Sequence, residues 1–162
     1  MIIIPTKTCR FVIIRNITLK IQIIGRGIMM VSAEFEVRTK THTQMIDITE
    51  KVQKIVTESG IENGICMVFV PHTTAAVTIN ENADPDVVHD FIKETSKLVP
   101  WEDDYRHIEG NAAAHIKSSL IGFSESIIIE DGRLMLGFWQ DIYFCEFDGP
   151  RRRRAKVKII EG

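Results

Sequence analysis

Residues 65–85, with the sequence ICMVFVPHTTAAVTINENADP, decide the fold. They open with a continuous apolar run over residues 65–70, which predicts a buried β-strand. Pro71 ends this strand because proline cannot donate a ladder hydrogen bond. A β-branched run over residues 73–79 predicts a second strand. The pair Asp84-Pro85 then predicts a helix start, because aspartate caps a helix and proline fits its first position.

The chain before this stretch predicts a strand and a helix. Residues 31–38 alternate between apolar and polar side chains, which is typical of a half-buried strand. Asp47 and Glu50 resemble a capping box. The helix that they begin is predicted to end at Gly60.

The chain after it predicts a short helix and a set of strands. Asn111 is expected to cap a helix that runs to Leu120. Residues 124–147 predict a long hairpin, because Asp131-Gly132 is a favoured turn pair of type I′. Residues 153–160 predict the last strand. This order of elements predicts a single α+β domain, with a mixed, mostly antiparallel β-sheet and helices packed on one face.

Residues 1–29 predict a β-rich N-terminal extension ahead of a domain over residues 30–162. Charged residues and a proline interrupt its apolar runs, whereas a spanning helix needs about 20 mostly apolar residues. No signal-peptide cleavage pattern follows. We expect the extension to be dispensable for the chemistry and no membrane to be a partner.

The composition is that of an ordinary globular protein. The 162 residues are 44% hydrophobic and 26% charged, with a formal net charge of −2, which is typical of one soluble domain. This charge gives no reason to expect nucleic acid as a partner. Three scattered cysteines form no C-x-x-C pair, so they predict a reducing compartment and buried structural thiols.

Candidate functional residues concentrate between residues 72 and 115, where four of the five histidines lie beside carboxylates, amides and hydroxyls. Histidine and carboxylates supply metal ligands or acid–base groups that titrate near neutrality. A single histidine of this kind could equally cap a helix or fill a polar gap. Four together favour a functional site.

The same region resembles a known family. The motifs are PHTTA (71–75), NENADPDVVHD (80–90), YRHIEGN (105–111), AHIKSSLIG (114–122) and LGFWQDI (136–142). Their order and spacing resemble the YjbQ-like family, also labelled secondary thiamine-phosphate synthases. Phe138 stands where that family usually has threonine. The resemblance implies an α+β fold, a homotrimer and a cytoplasmic location. It also implies a transferase that joins a pyrimidine diphosphate to a thiazole phosphate and releases pyrophosphate.

Three histidines form the candidate metal site. His89 on one helix, His107 on a loop and His115 on the next helix could converge as nitrogen ligands. A divalent metal is expected there, and zinc is favoured over magnesium because magnesium prefers oxygen ligands.

The candidate catalytic residues are His72, Glu81, Asn82 and Asp90. His72 follows the break at Pro71, where a polar side chain can reach a cleft and act as acid, base or fourth ligand. Asn82 could instead be a turn-forming amide.

The candidate substrate-binding residues are Thr73, Lys117, Ser118, Ser119, Trp139 and Gln140. An ammonium group and hydroxyls suit a small phosphorylated molecule, although two serines inside a helix could simply be small packing residues. Trp139 follows Gly137 on a predicted strand and could stack on a heteroaromatic ring or be buried.

The run Arg151 to Arg154 invites an RNA-binding interpretation, but ion-paired or solvated arginines are the preferred alternative. The resulting hypothesis is a thiamine-phosphate synthase-like enzyme. A metal-dependent hydrolase and a non-catalytic, small-molecule or metal-binding trimer are the alternatives.

Overall fold

The computed structural model describes residues 9–14, 17–24 and 27–162. Its elements follow in the order β1 (Cys9–Ile14), β2 (Ile17–Ile24), β3 (Ile28–Arg38), β4 (Gln44–Asp47), α1 (Thr49–Ser59), β5 (Gly64–Phe69), β6 (Ala75–Glu81), α2 (Pro85–Leu98), α3 (Ala112–Ile121), β7 (Ser124–Glu130), β8 (Arg133–Leu134), β9 (Gln140–Glu146) and β10 (Arg152–Glu161). Within this part of the chain, no helix is long and apolar enough to cross a membrane.

The strands form two antiparallel sheets. The larger has the order β1-β2-β3-β10-β5-β7-β8, and the smaller has the order β4-β9-β6. The α+β class with mostly antiparallel pairing is therefore confirmed. The structure divides the predicted single sheet in two, because β9 pairs with β4 and β6 and not with β7.

The main core lies between the two sheets and is closed by α1. Val31 and Val157 come from the large sheet, Phe144 from the small sheet and Ile55 from α1, and all are buried. A second cluster of Ala76, Tyr143, Cys145 and Phe147 lies on the small sheet, where Ala114 of α3 and Val88 of α2 pack against it. The small sheet thus separates the main core from the two helices that carry His89 and His115.

Several local predictions are confirmed. Asp84 caps α2, accepting from the N–H of Asp86 at 2.9 Å, with proline at the first turn. Asp131 and Gly132 both have positive φ, at 48° and 70°, as a type I′ turn requires. Cys66 and Cys145 are buried, and burial raises the pKa of each thiol to about 12. Cys9, in contrast, is exposed.

Two local predictions are wrong. The capping box is not formed, because Ile48 occupies the cap position of α1 and Asp47 accepts from the N–H of Thr49 instead. The long hairpin ends early, since β8 pairs with β7 over two residues only. The chain then leaves the large sheet, and its apolar run over residues 142–147 lies in and just after β9 of the small sheet.

The extension adds strands to the edge of the large sheet. β2 pairs with β3 from Thr18 opposite Glu34 to Ile24 opposite Ile28, and Leu19 is buried in the core. Because β3 begins at Ile28, the predicted boundary after residue 29 falls inside a strand. Parts of the predicted extension, residues 1–8, 15–16 and 25–26, lie outside the described residues.

Candidate functional site

The four predicted catalytic residues lie at three places in the fold. His72 precedes β6, whereas Glu81 ends that strand and Asn82 follows it. A seven-residue strand is about 20 Å long at about 3.3 Å per residue, so the two groups are at opposite ends. Asp90 lies on α2, where its carboxylate is 3.3 Å from His89 Nδ1. Within one chain, these residues do not form a common site.

His72 is held as a hydrogen-bond acceptor. Its Nε2 accepts from the backbone N–H of Arg154 at 2.9 Å. Burial, and then the Arg153 guanidinium, hold the pKa of His72 below its ordinary value. A ring that accepts at Nε2 carries its proton on Nδ1. The neighbouring Thr73 is exposed.

A buried ion pair, which the motifs do not predict, lies close to His72. Glu146 accepts from Arg153 Nη2 at 2.6 Å and from Arg153 Nε at 2.7 Å, and Thr74 accepts a further bond from the same guanidinium. Arg151 pairs with Asp148, and Arg154 with Glu34. The ion-paired interpretation of the arginine run is confirmed for these three arginines. The one charged residue inside the apolar run over residues 142–147, Glu146, is the sequence feature that could have indicated a buried ion pair.

A network of side-chain hydrogen bonds, the bridging network, lies at the other end of β6. Asn82 Nδ2 donates to Asp141 at 2.7 Å and to Asp47 at 3.2 Å, and the Tyr143 hydroxyl donates to Asn82 Oδ1. Burial, followed by the charges of Asp47 and Asp141, raises the pKa of Tyr143. Asn82 therefore joins the ends of β4, β6 and β9, while Glu81 is half-buried beside it.

Trp139 lies in a turn and not on the predicted strand. The turn closes through the N–H of Gln140 bonded to the Gly137 carbonyl, and Gln140 Oε1 accepts from the Gly137 N–H, both at 2.8 Å. Phe138 and Trp139 stand at its tip with perpendicular rings 4.7 Å apart. They are 91% and 58% exposed, so Trp139 is not a core residue of the single chain.

The predicted three-histidine metal site is wrong. The rings of His107 and His115 lie 5.1 Å apart, but His89 is on the solvent side of α2 beside Asp90. The helix turns His89 outward because Val88 occupies the face toward the small sheet. Among the residues that the structure describes, no three histidine, cysteine or acidic side chains are grouped as metal ligands.

Lys117, Ser118 and Ser119 of the AHIKSS motif form hydrogen bonds within the protein. Lys117 is buried, with its Nζ 3.3 Å from Ser96 Oγ on α2, and burial lowers the pKa of its amine. Ser118 donates to the Ala114 carbonyl, and Ser119 donates to the His115 carbonyl. This geometry favours the packing alternative for the serines over phosphate recognition.

The structure brings together a different group, which the sequence indicated only in part. We name it the histidine-pair site: His107, Glu109, Asn111, His115 and Asp148. Glu109 lies 3.8 Å from His107 Nε2, and Asn111 Nδ2 donates to Asp148 at 3.1 Å. A turn at Gly110, whose φ is +74°, bonds back to the His107 carbonyl and leads into α3.

The sequence suggested Asn111 as a helix cap, yet its side chain makes no capping bond. Its Oδ1 is buried and has no hydrogen-bond partner within the described ranges. Its contact with Asp148 joins residues 37 positions apart, so no local pattern could predict it.

A groove on another part of the surface has a different lining. It has a volume of about 900 Å³ and is lined by Ile17, Phe35, Glu36, Val37, Arg38, Ile46, Glu50, Lys51 and Lys54. It holds none of the predicted site residues, so volume alone does not locate the chemistry. The approach of two imidazoles and a carboxylate is the stronger criterion.

Comparison with known proteins shows which family the chain matches. The family model described as "UPF0047 protein YjbQ-like" matches residues 33–162. The UPF0047 protein YugU of Bacillus subtilis is 51% identical over 126 residues, which cover 77% of this chain and 96% of that protein. A UPF0047 protein of Methanocaldococcus jannaschii is 51% identical over 127 residues, covering 78% of this chain and 92% of that protein.

Solved structures give the same result. A YjbQ/UPF0047-family protein of Clostridium acetobutylicum is 56% identical with a TM-score of 0.77, covering 78% of this chain and 98% of that one. A protein of Sulfolobus solfataricus is 33% identical with a TM-score of 0.81, covering 83% and 99%. The first is described as uncharacterised, and the second as of unknown function.

These findings correct the thiamine-phosphate synthase hypothesis. The matched family and the relatives reported above carry no such activity in their descriptions. The three-histidine metal centre that was expected to serve such an enzyme is not formed among the described residues. The resemblance to the family itself is confirmed, and the chain belongs to the YjbQ-like UPF0047 family.

Proposed function

We propose that this protein is an enzyme that uses His107 and His115 as general acid and base on a small polar substrate. The observation that carries the proposal is the approach of the two imidazoles, whose ring centroids are 5.1 Å apart. Imidazole is the side chain best suited to give and take protons near neutral pH.

The two rings come from different elements, which fixes their relative position. His115 is in the first turn of α3 and is half-buried, whereas His107 is on the preceding loop. The rings meet edge to face at 89°. Glu109, next to His107, supplies a carboxylate that can orient one imidazole, as the third member of many acid–base sites does.

The bridging network around Asn82 is a weaker candidate. The Asn82 amide already bonds to Asp47, Asp141 and Tyr143, so its polar groups satisfy one another. Fully satisfied networks of this kind rigidify a fold. In the histidine-pair site, by contrast, a buried amide oxygen lacks a described partner.

A non-catalytic binding protein is the main alternative, and a turnover experiment separates the two. Purified protein is incubated with a protein-free extract of small metabolites, and the mixture is followed by NMR and mass spectrometry. The wild type should consume at least one component, and the His107→Ala/His115→Ala double variant should not. Identical extracts after incubation with both proteins would contradict the proposal.

His89→Ala is the matched control. His89 is exposed on α2 and contacts the neighbouring Asp90, so its loss removes an imidazole without touching the pair. Turnover equal to that of the wild type is expected. Turnover lost only in His89→Ala would place the chemistry outside the histidine-pair site.

We also propose that the enzyme acts as a homo-oligomer in the cytoplasm. Support comes from the resemblance, which implies a trimer, and from large apolar side chains left in solvent by the single chain. α2 has an apolar stripe yet contains no fully buried residue. Such surfaces are typical of protein–protein contacts.

A further inference from the structure

Large apolar side chains are exposed near both ends of β9. Just before the strand lies the aromatic tip, Phe138 and Trp139, whose side chains stand in the turn that leads into it. Toward the other end lies the apolar rim of the histidine-pair site, which consists of Ile108, Ile116 and Leu120, all exposed. The single chain covers neither patch.

The apolar rim lies beside the two imidazoles. Ile108 follows His107 in the chain, and Ile116 follows His115. Ile116 and Leu120 are four residues apart on α3, so they share one face of that helix. Another face of α3 is buried within the chain. The rim therefore meets solvent next to the histidine pair.

The aromatic tip does not reach the histidines of its own chain. It directly precedes β9, whereas the histidine-pair site is joined to the far end of that strand through Asp148 and Asn111. A strand of seven residues, such as β9, is about 20 Å long. A second copy of the chain can bring the two patches together.

Two unlike patches on one chain suit a head-to-tail contact, in which one surface of a protomer meets a different surface of the next. Covered aromatic side chains bury about 150–250 Å² each, and a stable interface buries roughly 800 Å² of each partner. The aromatic tip therefore supplies a sizeable part of the area that such an interface needs. Aromatic side chains are also enriched among the residues that dominate binding energy.

The histidine-pair site is open to solvent on the single chain. The side chain of His107 is 41% exposed, and Ile108 beside it is in solvent. Exclusion of water strengthens the electrostatic interactions of an acid–base site. An aromatic cover would provide that exclusion.

We infer that the aromatic tip of one protomer covers the histidine-pair site of the next, so that each site is built from two copies of the chain. The inference rests on the proposed oligomer and the proposed function, and it adds a residue to that site. Trp139 of the partner subunit lies over the imidazoles and holds the substrate against them. Phe138 of the partner subunit packs on the apolar rim.

Photo-crosslinking of the full chain tests the inference. The photoreactive amino acid p-benzoylphenylalanine replaces Phe138, and unlabelled and ¹⁵N-labelled chains exchange subunits, so that mass spectrometry separates links between chains from links within one. Position 138 of one chain should cross-link to residues 105–121 of another. The same amino acid in place of Leu120 should capture residues 137–140 of another chain.

Ile128, an exposed residue on β7, is the matched control position. The photoreactive group placed there should not reach residues 105–121. Cross-links from position 138 to the outer face of the large sheet, around the exposed Ile65, would overturn the inference. So would an oligomer without cross-links between chains, or a monomeric wild type.

Co-expression of two variants measures whether the site is shared. Trp139→Ala and His115→Ala should each be nearly inactive alone. In randomly mixed oligomers, about one quarter of the sites join an intact tip to an intact histidine pair, so about one quarter of the wild-type turnover should return. Full turnover in Trp139→Ala, or no recovery in the mixed oligomers, would contradict a shared site.

The two measurements separate the inference from the proposed function. The expected cross-links in a protein that turns over nothing contradict only the acid–base role of the histidines. Turnover that depends on His115, together with cross-links to another surface, contradicts only the shared site.

Discussion

Glu146 and Arg153 form a doubly bonded ion pair that is sealed inside the protein. The glutamate is 0% exposed and the arginine 6% exposed. The carboxylate also accepts from the Thr39 hydroxyl and from the N–H groups of Phe147 and Asp148. With these bonds, the pair fastens the end of β9 to β10 and positions Asp148 for its contact with Asn111.

Glu146→Ala should lower the free energy of unfolding by about 3–5 kcal/mol, because it leaves a buried guanidinium without its carboxylate. Urea unfolding followed by circular dichroism measures the change. Glu36→Ala is the matched control, since it removes an exposed partner of Arg38, and its effect should be much smaller. Similar losses for the two variants would show that the buried pair has no special role.

His72 should make the folded state sensitive to acid. Its pKa is lowered in the folded protein, so below about pH 6.5 the unfolded chain binds a proton that the folded chain resists. Stability is therefore complete above about pH 6.5 and falls as the pH falls toward the lowered pKa of the folded state. His72→Gln, which keeps an acceptor for the Arg154 N–H, should lose less stability between pH 7 and pH 5 than the wild type. Parallel stability–pH curves for the two proteins would refute this.

The N-terminal extension should matter for stability and not for chemistry. Leu19 is 1% exposed and packs in the main core, so Leu19→Ala should cost about 2–5 kcal/mol of unfolding free energy. Gln22→Ala, at a half-buried position on the same strand, should cost much less. Both variants should keep wild-type turnover at temperatures where they are folded. Loss of turnover in folded Leu19→Ala would show that the extension contributes to the site.

Self-association should depend on the exposed apolar side chains. Ile108 is 99% exposed and Phe138 is 91% exposed, which is costly for residues of this size unless another chain covers them. The wild type should elute as an oligomer in size-exclusion chromatography with light scattering, and the family resemblance implies a trimer. Ile108→Ser/Phe138→Ser should shift it toward the monomer. A monomeric wild type would contradict the proposal.

Local signals explain what could be predicted from the sequence. Asp84-Pro85 and Asp131-Gly132 act through bonds and dihedral angles within a few residues, and both features formed as expected. The apolar run over residues 142–147 predicts a strand, and it lies in and just after β9. Long-range packing determines which strands pair with β9. No local pattern states that it joins β4 and β6.

The site shows the same division. His107 and His115 lie within nine residues of each other in the sequence, and the structure brings their rings together as expected. The position of His89, in contrast, depends on which face of α2 meets the small sheet. Glu146 and Asn111 are defined by partners on distant strands and loops. Their roles became visible only when the fold brought those partners together.

The most direct test of the central claim compares single histidine variants in one turnover assay. His107→Ala and His115→Ala should each lower kcat/KM by at least about 100-fold, the usual contribution of a general acid or base. The double variant should be little worse than either single variant, because residues that act as a unit are not additive. His89→Ala should match the wild type. Wild-type kcat/KM in either His107→Ala or His115→Ala would contradict the account.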